Sequence, residues 1–270
     1  MSLYTQSGGD PHEFTPSASD TADVVDAQVV VLNGGHYDEY MERAAQRSRG
    51  TVIDAYDLLT TGTEPSDSPH PAGDDPTGAG QPVDSHGQDS HENEHVFYDL
   101  AVVAAVAKNV GAALAAADEA NAPAYRANAQ RFVDEIDTLR ASLAMIRQRH
   151  DGTRVAQVEP LAGYLLTEAG LVDVAPAGFT TAVEEGQSPS AADRAAMQDL
   201  LTSHTAKVLV YNTQAADPAT NALLGVAKGA SVPVVNFTET LPEGVTGYVA
   251  WQRAQIAALA AALDAAGPRS

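Results

Sequence analysis

An α/β fold of two similar halves joined by one long helix is what this 270-residue sequence predicts. Three observations lead there. Short apolar runs alternate with helix-patterned segments in both halves, as expected of strands and the helices that cover them. Residues 123–149 hold an unbroken helical pattern between the halves. A polar stretch at 60–94, rich in Gly, Pro, Ser, Asp and His, interrupts only the first half and cannot build a core of its own.

In chain order, residues 2–6 read as a short strand, followed by the turn-rich Gly8-Gly9-Asp10-Pro11-His12-Glu13-Phe14. Ser17-Ala18-Ser19-Asp20 predicts a helix start with Ser17 or Ser19 as its cap. The apolar run 27–32 (AQVVVL) predicts a strand covered on both faces, broken by Asn33-Gly34-Gly35. Helical spacing resumes over 37–47, and 51–54 is a second strand. After the 60–94 loop comes an alanine-rich helix at 100–117.

The long helix begins with Pro123 in its first turn and places Phe132, Ile136, Leu139, Leu143 and Ile146 three and four residues apart. It would span roughly 40 Å, which suits a rigid element between two lobes. The second half then predicts strands at 153–158, 178–183, 207–211 and 232–237, and helices at 161–169, 218–228 and 247–266. Ser190-Ala191-Ala192-Asp193 caps one more helix, running to Leu201.

Composition narrows the function. With 15 Lys+Arg against 36 Asp+Glu the net charge is −21, which disfavours nucleic acid and an anionic membrane surface and favours a cation as ligand. Cysteine is absent, so any metal must be held by imidazole and carboxylate. No unbroken run of about 18 apolar residues suggests a membrane span, and residues 1–6 lack the features of an export signal. Neither HExxH, P-loop nor GxSxG is present.

Four short stretches place a metal-binding side chain just after a strand or at a loop end: His12 in DPHEF, His95 in EHVFYD, Glu159 in QVEPLAGY and Glu239 in NFTETLP. Ligands of open α/β sheets gather at the carboxyl ends of strands, so these four can converge. Singly, each also reads as a solvated loop residue or a helix-start carboxylate. His36 reads as a solvated loop histidine, and His150 and His204 as helix-end residues without a further role. Trp251 and the Phe97/Tyr98 pair read as packing residues, and Asp99 as the oxygen that orients His95.

Asp10-Pro11-His12-Glu13-Phe14-Thr15-Pro16-Ser17, Asn33-Gly34-Gly35-His36-Tyr37-Asp38, the acidic/His loop ending in His95-Val96-Phe97-Tyr98-Asp99, and Pro189-Ser190-Ala191-Ala192-Asp193 form an ordered set. Tyr211-Asn212-Thr213-Gln214 and Thr238-Glu239-Thr240-Leu241-Pro242 extend it. Together they resemble a zinc/manganese ABC-transporter solute-binding protein, over essentially the whole chain. The resemblance implies two α/β lobes, each with a mostly parallel sheet flanked by helices, joined by the long helix, with one metal in the interlobe cleft. It implies a first lobe at 1–121 containing the loop 60–94, a linking helix at 122–150 and a second lobe at 151–270. His12 and His95 would come from the first lobe, Glu159 and Glu239 from the second.

Glu159 stands where zinc-type members often have a third histidine and manganese-type members a glutamate, and Glu239 where an aspartate is common. This set of two histidines and two carboxylates departs from the histidine-rich zinc pattern, but intrinsic affinity ranks zinc above manganese, so Zn2+ is the expected cargo and Mn2+ the alternative. The expected partners are an ABC permease and its ATPase, for a monomer working outside the cytoplasm as a cell-surface lipoprotein or in the periplasm. His70, His86 and His91 are either loose collectors of metal or part of a solvated tract. Family members start with an export signal, a strand and a helix ahead of the segment matching 2–12. Their absence here predicts a first lobe less stable than the second.

A metal-dependent hydrolase with an open metal position is the competing function, and a surface adhesin a third without a sequence feature of its own. Four protein ligands would leave no position for an activated water, which separates a carrier from a catalytic zinc centre.

Overall fold

The computed structural model describes residues 14–61 and 93–267, the side chains of residues 60 and 61 excepted. His12, His70, His86, His91 and the strand predicted at 2–6 lie outside the described residues. The first unit runs α1 (Ala18–Asp26), β1 (Val29–Leu32), α2 (Glu39–Ala45), β2 (Thr51–Asp54) and α3 (Asp57–Thr61). Ser17 is the cap of α1: its hydroxyl accepts from the Asp20 N–H while the Asp20 carboxylate accepts from the Ser17 N–H at 2.8 Å. This reciprocal box satisfies two backbone donors that the first turn cannot.

Strands β1 and β2 pair in parallel, Val29 opposite Thr51 through Leu32 opposite Asp54. The expectation that β1 is covered on both faces does not hold. Val30 and Leu32 are buried, whereas Val31 is 43% exposed; on β2, Ile53 opposite Val31 is buried and Val52 opposite Val30 is 41% exposed. Burial along β1 alternates with the period of the pleat, while its register partners on β2 show that each face is covered only in part. The core of this unit is small, made of Val24, Val30, Leu32, Ala44 and Ala45.

A 3-10 turn, Val96–Tyr98, leads into α4 (Leu100–Ala117), and a second such turn leads into α5 (Ala122–His150). Ile136, Leu139, Leu143 and Ile146 form the buried stripe of α5, joined by Val133 where the pattern pointed to Phe132. Phe132 instead lies at the edge, its ring 6.1 Å from that of Tyr248. Gly111 lets α4 and α5 approach: a Cβ there would stand 2.7 Å from the Cβ of Ala129. Among the described residues α4 alone is long and apolar enough, by length and composition, to cross a membrane. The strict apolar run is broken by Lys108-Asn109, and the helix turns Leu100, Val102, Ala105, Gly111 and Ala115 into the protein interior.

The second sheet consists of β3 (Arg154–Gln157), β4 (Val172–Asp173), β5 (Leu209–Asn212) and β6 (Val234–Phe237), in the order β4-β3-β5-β6 and parallel throughout. Around it lie α6 (Gly163–Glu168), α7 (Ala177–Glu184), α8 (Ala191–Thr202), α9 (Pro218–Gly229) and α10 (Tyr248–Ala265). The strand predicted at 178–183 is a helix, α7. Its Thr and Val residues suggested a strand, but Phe179, Thr180 and Val183 fall on one buried helical face, and Pro176 sets the start. Two residues are too few to show a period, which is why β4 left no trace in the pattern.

One face of this sheet packs on Phe179, Val183, Met197, Leu201 and Leu223. The other packs on α5 and α10, and the same core takes in Tyr98 and Leu100. The turn that follows His95 is therefore fastened to the second sheet. The single proton of the Tyr98 hydroxyl is shared between Thr238 O at 2.7 Å and Gln255 Oε1 at 2.9 Å, and the Tyr248 hydroxyl donates to Phe97 O at 2.6 Å.

Candidate metal centre

His95 precedes the Val96–Tyr98 turn, Glu159 follows β3, and Glu239 lies just beyond β6. All three are almost wholly buried, at 1%, 4% and 6% exposure. His95 Nε2 stands 3.9 Å from Glu239 Oε2. The two carboxylates meet on Asn212, at the end of β5, whose side-chain NH2 donates to Glu159 Oε1 and, at 2.7 Å, to Glu239 Oε1. Three of the four residues expected from the sequence thus come together, and the fourth, His12, lies outside the described residues.

Surrounding groups fix these side chains. The Asn212 carboxamide is oriented by the Gln214 N–H, which donates to its Oδ1 at 2.9 Å, so its NH2 must face the carboxylates. Gln214 Oε1 accepts from the Glu239 and Thr240 N–H groups and holds the loop that carries Glu239. From the first unit, the Tyr37 hydroxyl donates to Glu239 Oε2 at 3.0 Å. Tyr37 is aimed there by a turn in which Gly34, Gly35 and His36 all have positive φ. A Cβ on Gly34 would stand 2.1 Å from Asp54 Oδ1, and one on Gly35 2.4 Å from Tyr56, so neither position accepts another residue without rearrangement. His36 points to solvent, 85% exposed, beside Glu39.

Asp99 does not orient His95. Its carboxylate accepts from the Ala101 and Val102 N–H groups and caps α4. The oxygen beside His95 Nδ1, at 2.8 Å, belongs to Asn93. Glu184, the last residue of α7, adds another carboxylate 3.8 Å from the same nitrogen. Burial pushes its carboxyl up to about 7, with repulsion from Glu185 and Glu239 adding to the effect.

Among the described residues no three His, Asp or Glu side chains are already drawn into a cage around one point. The spacing is nonetheless of the right order, since two ligands on a tetrahedral zinc with bonds of ~2.0–2.1 Å lie roughly 3.3 Å apart. Donor types fit as well, because two buried carboxylates supply the negative charge that a desolvated dication needs.

Residues 2–262 match the sequence model of the family described as zinc-uptake complex component A, periplasmic. The chain belongs to this family. Members of the zinc-uptake component A family are metal-binding solute-binding proteins of ABC importers and not enzymes, which sets aside the hydrolase alternative. The protein is extracytoplasmic.

Among its relatives, the high-affinity zinc uptake system protein ZnuA of Bacillus subtilis is 25% identical over 247 residues, 89% of this chain and 72% of that protein. The zinc-binding lipoprotein AdcA of Streptococcus pneumoniae is 24% identical over 281 residues, and the chain, aligned over 99% of its own length, spans 52% of AdcA. Solved structures share the fold. FpvC of Pseudomonas aeruginosa in complex with Mn2+ aligns with a TM-score of 0.69 at 22% identity, over 97% of this chain and 89% of that one. The laminin-binding protein Lmb of Streptococcus agalactiae also aligns at 0.69, with 19% identity over 96% and 89%.

Asn212, Tyr37, Asn93 and Glu184 were not expected at the site. Tyr37 and Asn212 lie inside two of the motifs that carry the resemblance, NGGHYD and YNTQ, so a signal for them existed. Glu184 was hidden by reading 178–183 as a strand, and Asn93 by its place at the end of a polar loop.

Proposed function

We propose that the protein captures a divalent cation, zinc ahead of manganese, with His12, His95, Glu159 and Glu239 as ligands, and delivers it to a membrane permease powered by its ATPase. The observation that supports this most is the burial of His95, Glu159 and Glu239 in one place, with a single Asn212 carboxamide shared by the two carboxylates. The cation is cargo. His95 binds it through Nε2, the nitrogen that faces Glu239, because Nδ1 is engaged by Asn93. Imidazole and carboxylate together accept either metal, and intrinsic affinity ranks zinc above manganese.

On this reading the lobes are residues 1–121 and 151–270 with 122–150 linking them, and residues 93–100 reach across as a tongue packed on the second sheet. The protein works as a monomer, without nucleic acid. Residues 65–92 of the loop supply no ligand of the high-affinity site.

Calorimetric titration of metal-stripped protein with zinc and with manganese tests the proposal. One equivalent of zinc should bind more tightly than manganese, and His95→Ala should weaken zinc binding by more than about 100-fold, beyond what loss of an outer partner costs. Deleting residues 65–92 should leave the affinity within about threefold of the intact chain on the same standard. No stoichiometric binding of either metal, or loss of binding on loop deletion alone, would overturn it.

A further inference from the structure

We infer that Asn93 is a positioning residue of the metal site. It sets which nitrogen of His95 faces the cation and ties the His95 segment to the one that carries Glu159. The inference deepens the proposed function and depends on His95 being a ligand.

The Asn93 side chain makes contacts at both ends. Its Oδ1 accepts from the His95 backbone N–H at 3.0 Å and lies 2.8 Å from His95 Nδ1. Its Nδ2 donates to Pro160 O at 2.6 Å, one residue beyond Glu159. Its backbone O accepts from the Tyr164 hydroxyl, also at 2.6 Å. These partners leave one orientation for the carboxamide. Flipped, it would set an NH2 against the His95 N–H, donor against donor, and an oxygen against Pro160 O. With Oδ1 so placed, His95 Nδ1 must carry a proton to donate to it, and Nε2 becomes the nitrogen whose lone pair can bind a cation.

Space for this arrangement comes from Gly163. A Cβ at that position would stand 2.8 Å from Asn93 Nδ2, so even alanine would displace the carboxamide. Glu184 Oε1, at 3.8 Å from Nδ1, is too distant for a hydrogen bond and cannot substitute as it stands. The consequence is mechanical as well as chemical. One side chain couples the histidine to the glutamate segment, so the two candidate ligands are held as one rigid pair.

The test uses the full chain. Nitrogen-15 NMR of the metal-free protein near pH 8 should report His95 as the Nδ1–H tautomer. Asn93→Ala should shift it toward a mixture and weaken zinc binding by about 10- to 100-fold. Asn93→Asp keeps an oxygen acceptor toward His95 and should retain the Nδ1–H tautomer, while Gly163→Ala should reproduce a partial Asn93→Ala effect. A residue that matters only for packing would lower the melting temperature without moving the tautomer. An Nε2–H tautomer in the wild type, or an unchanged tautomer in Asn93→Ala, overturns the inference. Failure of wild-type protein to bind zinc would instead overturn the function on which it depends, and the tautomer readout separates the two.

Discussion

At the residue scale, the chemistry centres on two carboxamides that do opposite tasks. Asn93 presents its oxygen to a histidine, and Asn212 presents its NH2 to two carboxylates. Two buried carboxylates beside one another repel, and a shared NH2 offsets part of that cost. Replacing Asn212 by Ala removes the donor and leaves both acceptors buried, a loss of about 1–3 kcal/mol. A bound dication would supply the missing positive charge. Thermal unfolding should therefore show Asn212→Ala destabilised in chelator and largely restored by saturating zinc, so that zinc raises its melting temperature more than it does the wild type's. Equal destabilisation with and without zinc would sink this assignment. A similar logic of matched donors accounts for Tyr37, whose hydroxyl brings the first unit onto Glu239.

Among the elements, the packing of α4 on α5 is the main structural joint. Alanine-rich helices bury little area per residue, so their stability depends on close approach, and Gly111 provides it opposite Ala129. Gly111→Ala improves helix propensity by about 0.8–1.0 kcal/mol, but overpacking a tight joint costs about 1–3 kcal/mol. The net expectation is a destabilised protein, read as a lower urea midpoint with an unchanged m-value. A raised midpoint would mean that the helices separate freely and that the joint is soft. The 3-10 turn before α4 belongs to this joint, because Tyr98 anchors it in the core shared by α5, α10 and the second sheet. That anchoring holds His95 near Glu239 from the side of the second sheet, although His95 precedes the linking helix in the chain.

For the whole molecule, burial is unequal. The second sheet is packed on both faces, by two separate cores. The described part of the first unit has a core of five apolar residues, with Ile53 buried beside it, and exposes Val31 on one face of its two-stranded sheet and Val52 on the other. Hydrogen exchange should accordingly show β1 and β2 opening at lower free energy than β3, β5 and β6. Uniform protection across the two sheets would contradict this. Zinc should raise protection at the Tyr37 turn as well, since Tyr37 reaches Glu239 from the less stable unit. The net charge of −21 surrounds the site with a negative field that favours arrival of a dication at low salt and fades within about 8–10 Å at physiological ionic strength.

Local pattern by itself determined the helices at 100–117 and 123–149, a serine-capped helix start at 17–20, the strand at 51–54 and the α/β alternation, because periodicity, capping and proline placement act within a few residues. It offered His12, His95, Glu159 and Glu239 as candidates at the ends of elements, where a parallel sheet collects its ligands, and the family resemblance joined them into one set. Only the tertiary structure decided that 178–183 is a helix and that Val31 within 27–32 is left exposed, since burial depends on what packs from elsewhere in the chain. Likewise only the fold decided the partners of the site. Asn93, Tyr37 and Glu184 carry no metal-binding pattern of their own, and Asp99, which stands in the expected place to orient His95, spends its carboxylate on capping α4. A hydrogen bond between residues far apart in sequence is set by where backbones cross, and no local spacing encodes that crossing.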